Sequence, residues 1–160
     1  MSSFLPTAPL EILTVEVGAL RFGLVATGIK EILRMVALTA LPQAPGIIAG
    51  LINVRGLVVP VLDMRVPFSL SRKAPDPADH LVVTWAGDRL VALWVDRAID
   101  LIRLEPADVD NADRLLPGMG ALSWVARTAD NLILVPDLIS LLARGEAETL
   151  RHASAATETP

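Results

Sequence analysis

Gly50-Leu51-Ile52-Asn53-Val54-Arg55-Gly56-Leu57-Val58-Val59-Pro60-Val61-Leu62-Asp63-Met64-Arg65 is the stretch that decides how this chain folds. Two apolar, β-branched runs flank Asn53-Val54-Arg55-Gly56, which reads as strand, tight turn, strand. Gly56 supplies the positive φ that a tight turn asks for, and Asn53 tolerates it better than most residues. Arg55 is the odd member, a long cation at a turn between segments that otherwise read as buried. A charge held there is either a surface solubiliser or a recognition residue.

The whole chain bounds that choice. Its 160 residues suit one domain of ordinary size, or two very small ones sharing a core. It is 52% hydrophobic with only 4% aromatics and no Tyr, so Leu, Val, Ile and Ala must build the core. The net charge of −4 and the single adjacent basic pair, Arg72-Lys73, argue against nucleic acid and anionic membrane surfaces as partners. The absence of cysteine excludes disulfides, thiolate catalysis and Cys-based zinc sites. Met35 to Val54 is uncharged and long enough to span a membrane as a helix. Pro42, Pro45, Gly46 and Gly50 would leave its backbone unsatisfied in lipid, so no membrane insertion is expected. Met1 to Pro9 lacks a basic n-region, which points to a cytoplasmic protein.

A weak internal repeat organises the chain. Leu13 to Val25 resembles Leu81 to Leu93, each reading as strand, short polar turn, strand. Each copy runs on into a mixed charged and apolar strand, Ile29-Lys30-Glu31-Ile32-Leu33 and Ala98-Ile99-Asp100-Leu101-Ile102. Val58 to Met64 then echoes Leu132 to Leu138, an apolar strand containing Pro and ending at Asp. Hairpin, charged strand, loop and apolar strand thus occur twice in one order, which predicts two similarly built β-barrels in tandem. Residues 69–79, with Pro75 and Pro77, mark the boundary between subdomains at about 11–68 and 79–144. Asp137 to Arg144, with Leu138, Leu141 and Leu142 on one face and Gly145 beyond, predicts a short C-terminal helix. Residues 1–10 and 145–160 read as flexible tails.

Recognisable catalytic chemistry is missing. His80 and His152 are too far apart to suggest a metal pair, and no nucleophile elbow, phosphate loop or dinucleotide fingerprint occurs. No cofactor, metal or catalytic residue is expected. Asp63, Asp96 and Asp137 end apolar strands, where turn-forming Asp is ordinary. They are also the groups that a rival reading, a small β-barrel enzyme or ligand-binding module, would use.

Residues 50–65 resemble the signature of the CheW family, the receptor–kinase coupling proteins of bacterial chemosensory arrays. The pattern is Gly, an apolar pair, Asn-x-Arg-Gly, an apolar run containing Pro, then Asp-x-Arg, and every element is present. Phe22-Gly23-Leu24, Ile29 to Ile32, Leu41-Pro42, Pro45, Leu93 to Asp96, Gly118-Met119-Gly120 and Leu132 to Leu142 extend the likeness over about 11–144. The resemblance implies an all-β fold of two tandem five-stranded SH3-like barrels around a shared apolar core, with a short C-terminal helix. It implies a non-catalytic adaptor whose partners are a chemoreceptor signalling tip, a CheA-type histidine kinase regulatory domain and other CheW-like proteins. It places receptor binding at Ile29, Glu31, Asn53, Arg55 and Gly56, in the cytoplasm at receptor clusters. Glu31 and Arg55 would pair across neighbouring strands, either as a docking centre or as an ordinary exposed ion pair.

One departure stands out. Between Glu105-Pro106 and Gly118 the chain has only 107–117, where typical family members are longer and contact the kinase. Val109, Arg114, Leu115 and Leu116 are the kinase-facing candidates, and the segment offers no aromatic anchor. A reduced kinase interface, as in an accessory coupling protein, is expected.

Overall fold

The computed structural model describes residues 5–41, 46–118 and 120–158, the last few by backbone alone. Pro42, Pro45, Met119 and the outermost residues of both expected tails lie outside them. Eleven strands dominate the described residues: β1 (Leu10–Val17), β2 (Leu20–Val25), β3 (Ile29–Arg34), β4 (Ile48–Val54), β5 (Leu57–Asp63), β6 (His80–Ala86), β7 (Arg89–Val95), β8 (Arg97–Leu104), β9 (Val109–Asn111), β10 (Leu122–Arg127) and β11 (Leu132–Pro136). Two α-helices accompany them among the described residues, α1 (Ala112–Leu115) and α2 (Leu138–Glu158). None is long and apolar enough to cross a membrane.

The strands form two sheets, in the orders β8-β1-β2-β11-β10-β9 and β3-β6-β7-β5-β4. The repeated order is therefore real, but the two copies exchange their hairpins. The hairpin β1–β2 of the first copy pairs with the charged strand and apolar pair of the second, and β6–β7 does the reverse. Parallel contacts β2·β11 and β7·β5 occupy matching places in the two sheets. A bulge also recurs. Ile29 faces Thr84 and Glu31 faces Val83, so Lys30 is extra, and Ala98 faces Val15 while Asp100 faces Thr14, so Ile99 is extra.

This pairing corrects the expected division at 68–79, because strands from both sides of that loop contribute to each sheet. A repeat reports that two segments are alike, not which segment each will pair with. The exchange leaves one core shared between the sheets and a smaller one within each sheet. Leu13, Phe22 and Leu24 of one sheet pack with Leu62, Val82 and Leu93 of the other, together with Leu141 and Leu142 of α2. The first sheet also carries a sixth strand, β9, drawn from the short 107–117 segment and paired to β10.

Helix α2 is longer than the stretch expected over 137–144, and 145–158 continue it rather than forming a tail. Gly145 reads as a stop in sequence but is a packing residue. A Cβ there would stand 2.8 Å from Ile48 Cγ1, so glycine lets the helix lie directly on β4. Glu148 strengthens the seat by accepting a hydrogen bond from the Ile47 amide at 3.0 Å.

Candidate functional site

The hinge is built by local chemistry. Val54 pairs with Leu57, leaving Arg55-Gly56 as a two-residue loop. Both residues have positive φ, 52° and 89°, the backbone of a type I′ turn that matches strand twist. Asn53 Oδ1 accepts the Gly56 amide at 2.8 Å and locks the turn from one side. From the other, the Arg55 fork donates to both Glu31 oxygens, Nε at 3.2 Å and Nη2 at 3.0 Å. Such bidentate pairing fixes orientation as well as distance.

That pair has an architectural consequence. β3 and β4 are the two ends of the five-strand order, yet Glu31 of β3 touches Arg55 at the tip of β4. The sheet therefore curls until its edges meet, and the ion pair spans the closing seam. The clasp is asymmetric: the Arg55 side chain is 76% exposed and the Glu31 side chain 19%. Hydrogen bonds from Arg55 hold the Glu31 carboxyl below its ordinary value, so the pair is intact at neutral pH. Of the residues expected at the site, Glu31, Asn53, Arg55 and Gly56 converge on this turn. Ile29 lies beyond the Lys30 bulge and packs partly against the shared core.

Beside the clasp lie apolar residues that sequence reasoning passed over. Leu57 and Val58, directly after the turn, are 53% and 69% exposed, and Trp85 is 45% exposed. They line a depression of about 270 Å³ with Leu90 and Arg89. The available signal was Leu57-Val58-Val59: in a strand with alternating faces, three successive apolar residues cannot all be buried on one side. Val59 alone of the three is in the core.

The carboxylates of the rival reading have structural partners instead. Asp63 accepts the Arg65 amide at 2.9 Å, and burial pushes its carboxyl above the ordinary range. Asp96 pairs with the Arg65 guanidinium and accepts the Gly18 amide of the β1–β2 turn at 2.7 Å. Because Gly18 and Arg65 belong to different sheets, Asp96 latches the two together. His80 adds a second tie, its Nδ1 accepting the Ala98 amide at 2.9 Å. Asp137 caps α2 by accepting the Ser140 amide at 3.1 Å. The Asp-x-Arg that closes the signature is thus an element of the sheet-to-sheet joint.

The expected kinase-facing residues separate into two groups. Val109 is buried, 4% exposed, and packs in the small core of the first sheet. Arg114, Leu115 and Leu116 are exposed at the end of α1, which Asn111 caps by accepting the Asp113 amide at 2.9 Å. Leu115 and Leu116 present an apolar pair there.

Comparison with known proteins agrees with this architecture. Residues 11–146 match the family model described as the CheW-like domain. A chemotaxis protein CheW of Treponema pallidum is 23% identical over 148 residues, covering 89% of this chain and 87% of the relative. A chemotaxis protein CheW of Klebsiella aerogenes is 28% identical, with coverages of 85% and 83%. Protein FrzA of Myxococcus xanthus is 34% identical over a shorter region, 59% of each chain. The crystal structure of the scaffolding protein TtCheW from Thermoanaerobacter tengcongensis shares the fold, with a TM-score of 0.73 at 21% identity, over 80% of this chain and 88% of that one. The chain belongs to the CheW-like domain family.

Proposed function

We propose that this protein is a non-catalytic coupling adaptor of a chemosensory complex, and that it grips a chemoreceptor signalling tip through Glu31, Asn53, Arg55 and Gly56, with Ile29 supporting the strand. The observation that carries the reading is the clasp itself. An arginine side chain three-quarters exposed is held rigid by a bidentate carboxylate and a locked turn, next to bare apolar residues. Preorganised arginine beside desolvatable apolar surface is the composition of a protein-docking centre. The names of the relatives, chemotaxis and scaffolding proteins, support the same class.

The kinase side is the reduced one. Arg114, Leu115 and Leu116 offer a small apolar tip, while buried Val109 contributes only to its support. Weak or absent binding to the regulatory domain of a CheA-type kinase follows, and a sub-micromolar titration would contradict it. Other CheW-like proteins and a cytoplasmic place at receptor clusters belong to the same proposal. Arg55→Glu is the test of the receptor site: it reverses the charge at the tip and should abolish capture by a receptor signalling tip at almost unchanged melting temperature. Unaltered capture would remove the site from the hinge.

A further inference from the structure

Strands β1 to β5 and strands β6 to β11 form two half-chains, and neither half completes a sheet. The first sheet takes β1 and β2 from one half and β8 to β11 from the other, and the second sheet mixes them the opposite way. Four strand pairs join the halves: β1 with β8, β2 with β11, β3 with β6 and β5 with β7. The shared core draws Leu13, Phe22 and Leu62 from the first half and Val82, Leu93 and Leu141 from the second. Polar ties cross the same boundary. Arg65 pairs with Asp96, Thr84 Oγ1 donates to the Gly28 carbonyl at 2.9 Å, and Glu148 accepts the Ile47 amide.

The covalent link between the halves is anchored at both ends and loose between them. Leu70 packs against the shared core and donates its amide to the Arg65 carbonyl at 3.0 Å. Asp79 is buried; its carboxylate accepts the Trp94 indole N–H at 2.9 Å, and its carbonyl accepts the Met35 amide at 2.9 Å. Between those anchors, residues 71–78 are all exposed and none belongs to a strand or helix. Trp94 of β7 pairs with Asp63 on one side and Leu81 on the other, so the link leaves and re-enters the same edge of the sheet. The two ends are two strand spacings apart, about 10 Å. Residues 64–79 are several times longer than that gap requires.

We propose that residues 71–78 are a dispensable tether between two interlocked half-chains, and that hydrolysis of one peptide bond in it leaves both barrels assembled. The tether carries Arg72-Lys73, the single adjacent basic pair of the chain, exposed in an extended loop. That makes it the place where a protease specific for basic residues opens the fold first. Water adds across the bond after Arg72 or Lys73, leaving a carboxylate on one fragment and an amino group on the other. No strand pair and no core contact is altered, because Leu70 and Asp79 still anchor the new ends. What the tether supplies is effective concentration. While it is intact the halves assemble within one molecule, and once it is cut their association follows mass action.

Brief trypsin treatment of the full chain, followed by mass analysis of the products and gel filtration without denaturant, is the test. The first cut between β1 and β11 should fall after Arg72 or Lys73. The two fragments should then elute together at the volume of the uncut protein, with the same far-ultraviolet circular dichroism and tryptophan emission. Uncut protein should melt at one temperature at every concentration, whereas nicked protein should melt several degrees lower after roughly hundredfold dilution. A first cut at Arg55 or Arg89, in the tight turns, would show that the tether is not the weak point. Fragments that separate or unfold at micromolar concentration would overturn the proposal, because the covalent link would then be what holds the halves. A nicked protein whose melt ignores concentration would overturn it too, since interlocked halves must fold together. As a protease-free check, a Gly/Ser segment of about ten residues inserted between Ala74 and Pro75 should shift the melt by no more than about 2 °C. Loss of the folded state on that insertion would likewise refute a dispensable tether.

Discussion

Replacing Asp96 with Ala should loosen the joint between the two sheets, and the structure sets the size of the effect. The Arg65 side chain is 5% exposed and Asp96 is its counter-charge, itself 30% exposed. The other Arg65 Nη is buried with no hydrogen-bond partner among the described residues, and the guanidinium sits 5.9 Å from the centre of the Trp94 ring. Removing Asp96 therefore strands a buried cation. Breaking a buried pair from one side costs roughly 3–5 kcal/mol, and partial exposure of Asp96 places this one near the low end, about 3 kcal/mol. For a domain of this length that loss lowers the melting temperature by about 6–12 °C. Thermal and urea unfolding of Asp96→Ala, Arg65→Met and the double variant measure it. If the latch is electrostatic, the double variant recovers more than half of the loss, because it leaves no buried guanidinium without its Asp96 partner. An Asp96→Ala melt within about 1 °C of wild type, or a double variant as unstable as the sum of the singles, would show that Asp96 is no latch.

Four further outcomes follow from named contacts. Gly50→Ala places a Cβ 2.7 Å from the Thr39 carbonyl oxygen, a backbone atom that cannot swing away, and should cost about 1–3 kcal/mol in unfolding experiments. Asp137→Ala removes the α2 cap and should cost about 1 kcal/mol, with a loss of helical circular dichroism that precedes global unfolding. Burial raises the Asp63 carboxyl, so the folded state holds that proton more tightly than the unfolded state does. Stability then falls as pH rises from the ordinary aspartate value through the raised one, and this component should vanish in Asp63→Asn. Glu31 runs the other way. Its lowered value means that the clasp contributes above the ordinary glutamate range and is lost as pH falls through the lowered one.

Local chemistry made the hinge legible. Gly56 occupies a turn position whose backbone demand is visible in its residue type, and the Glu31 partner followed from the family pattern; the positive φ of Arg55 was not visible, and Asn53 serves the turn through its side chain rather than its backbone. The repeat was legible too, although the bulge that its two charged strands share was not. What sequence could not reveal was partner choice. Pairing of β1 with β8 and of β6 with β3 joins residues far apart in the chain, and nothing in a hairpin's own composition says which charged strand it will meet. Gly145 misled for a related reason. Past a leucine stripe a glycine is a good helix stop, and only the close approach of Ile48 turns it into a packing residue. Asp63, Asp96 and Asp137 looked interchangeable at strand ends, yet one supports a turn, one joins two sheets and one caps a helix.

Amide hydrogen exchange of the full chain with and without a receptor signalling-tip fragment decides whether the Glu31–Arg55 clasp is a receptor-docking surface. Docking at the clasp gives new protection over Ile29–Ile32 and Asn53–Val58, with little change at Asp113–Leu116. Protection confined to Asp113–Leu116, or none near the clasp under saturating fragment, would contradict it.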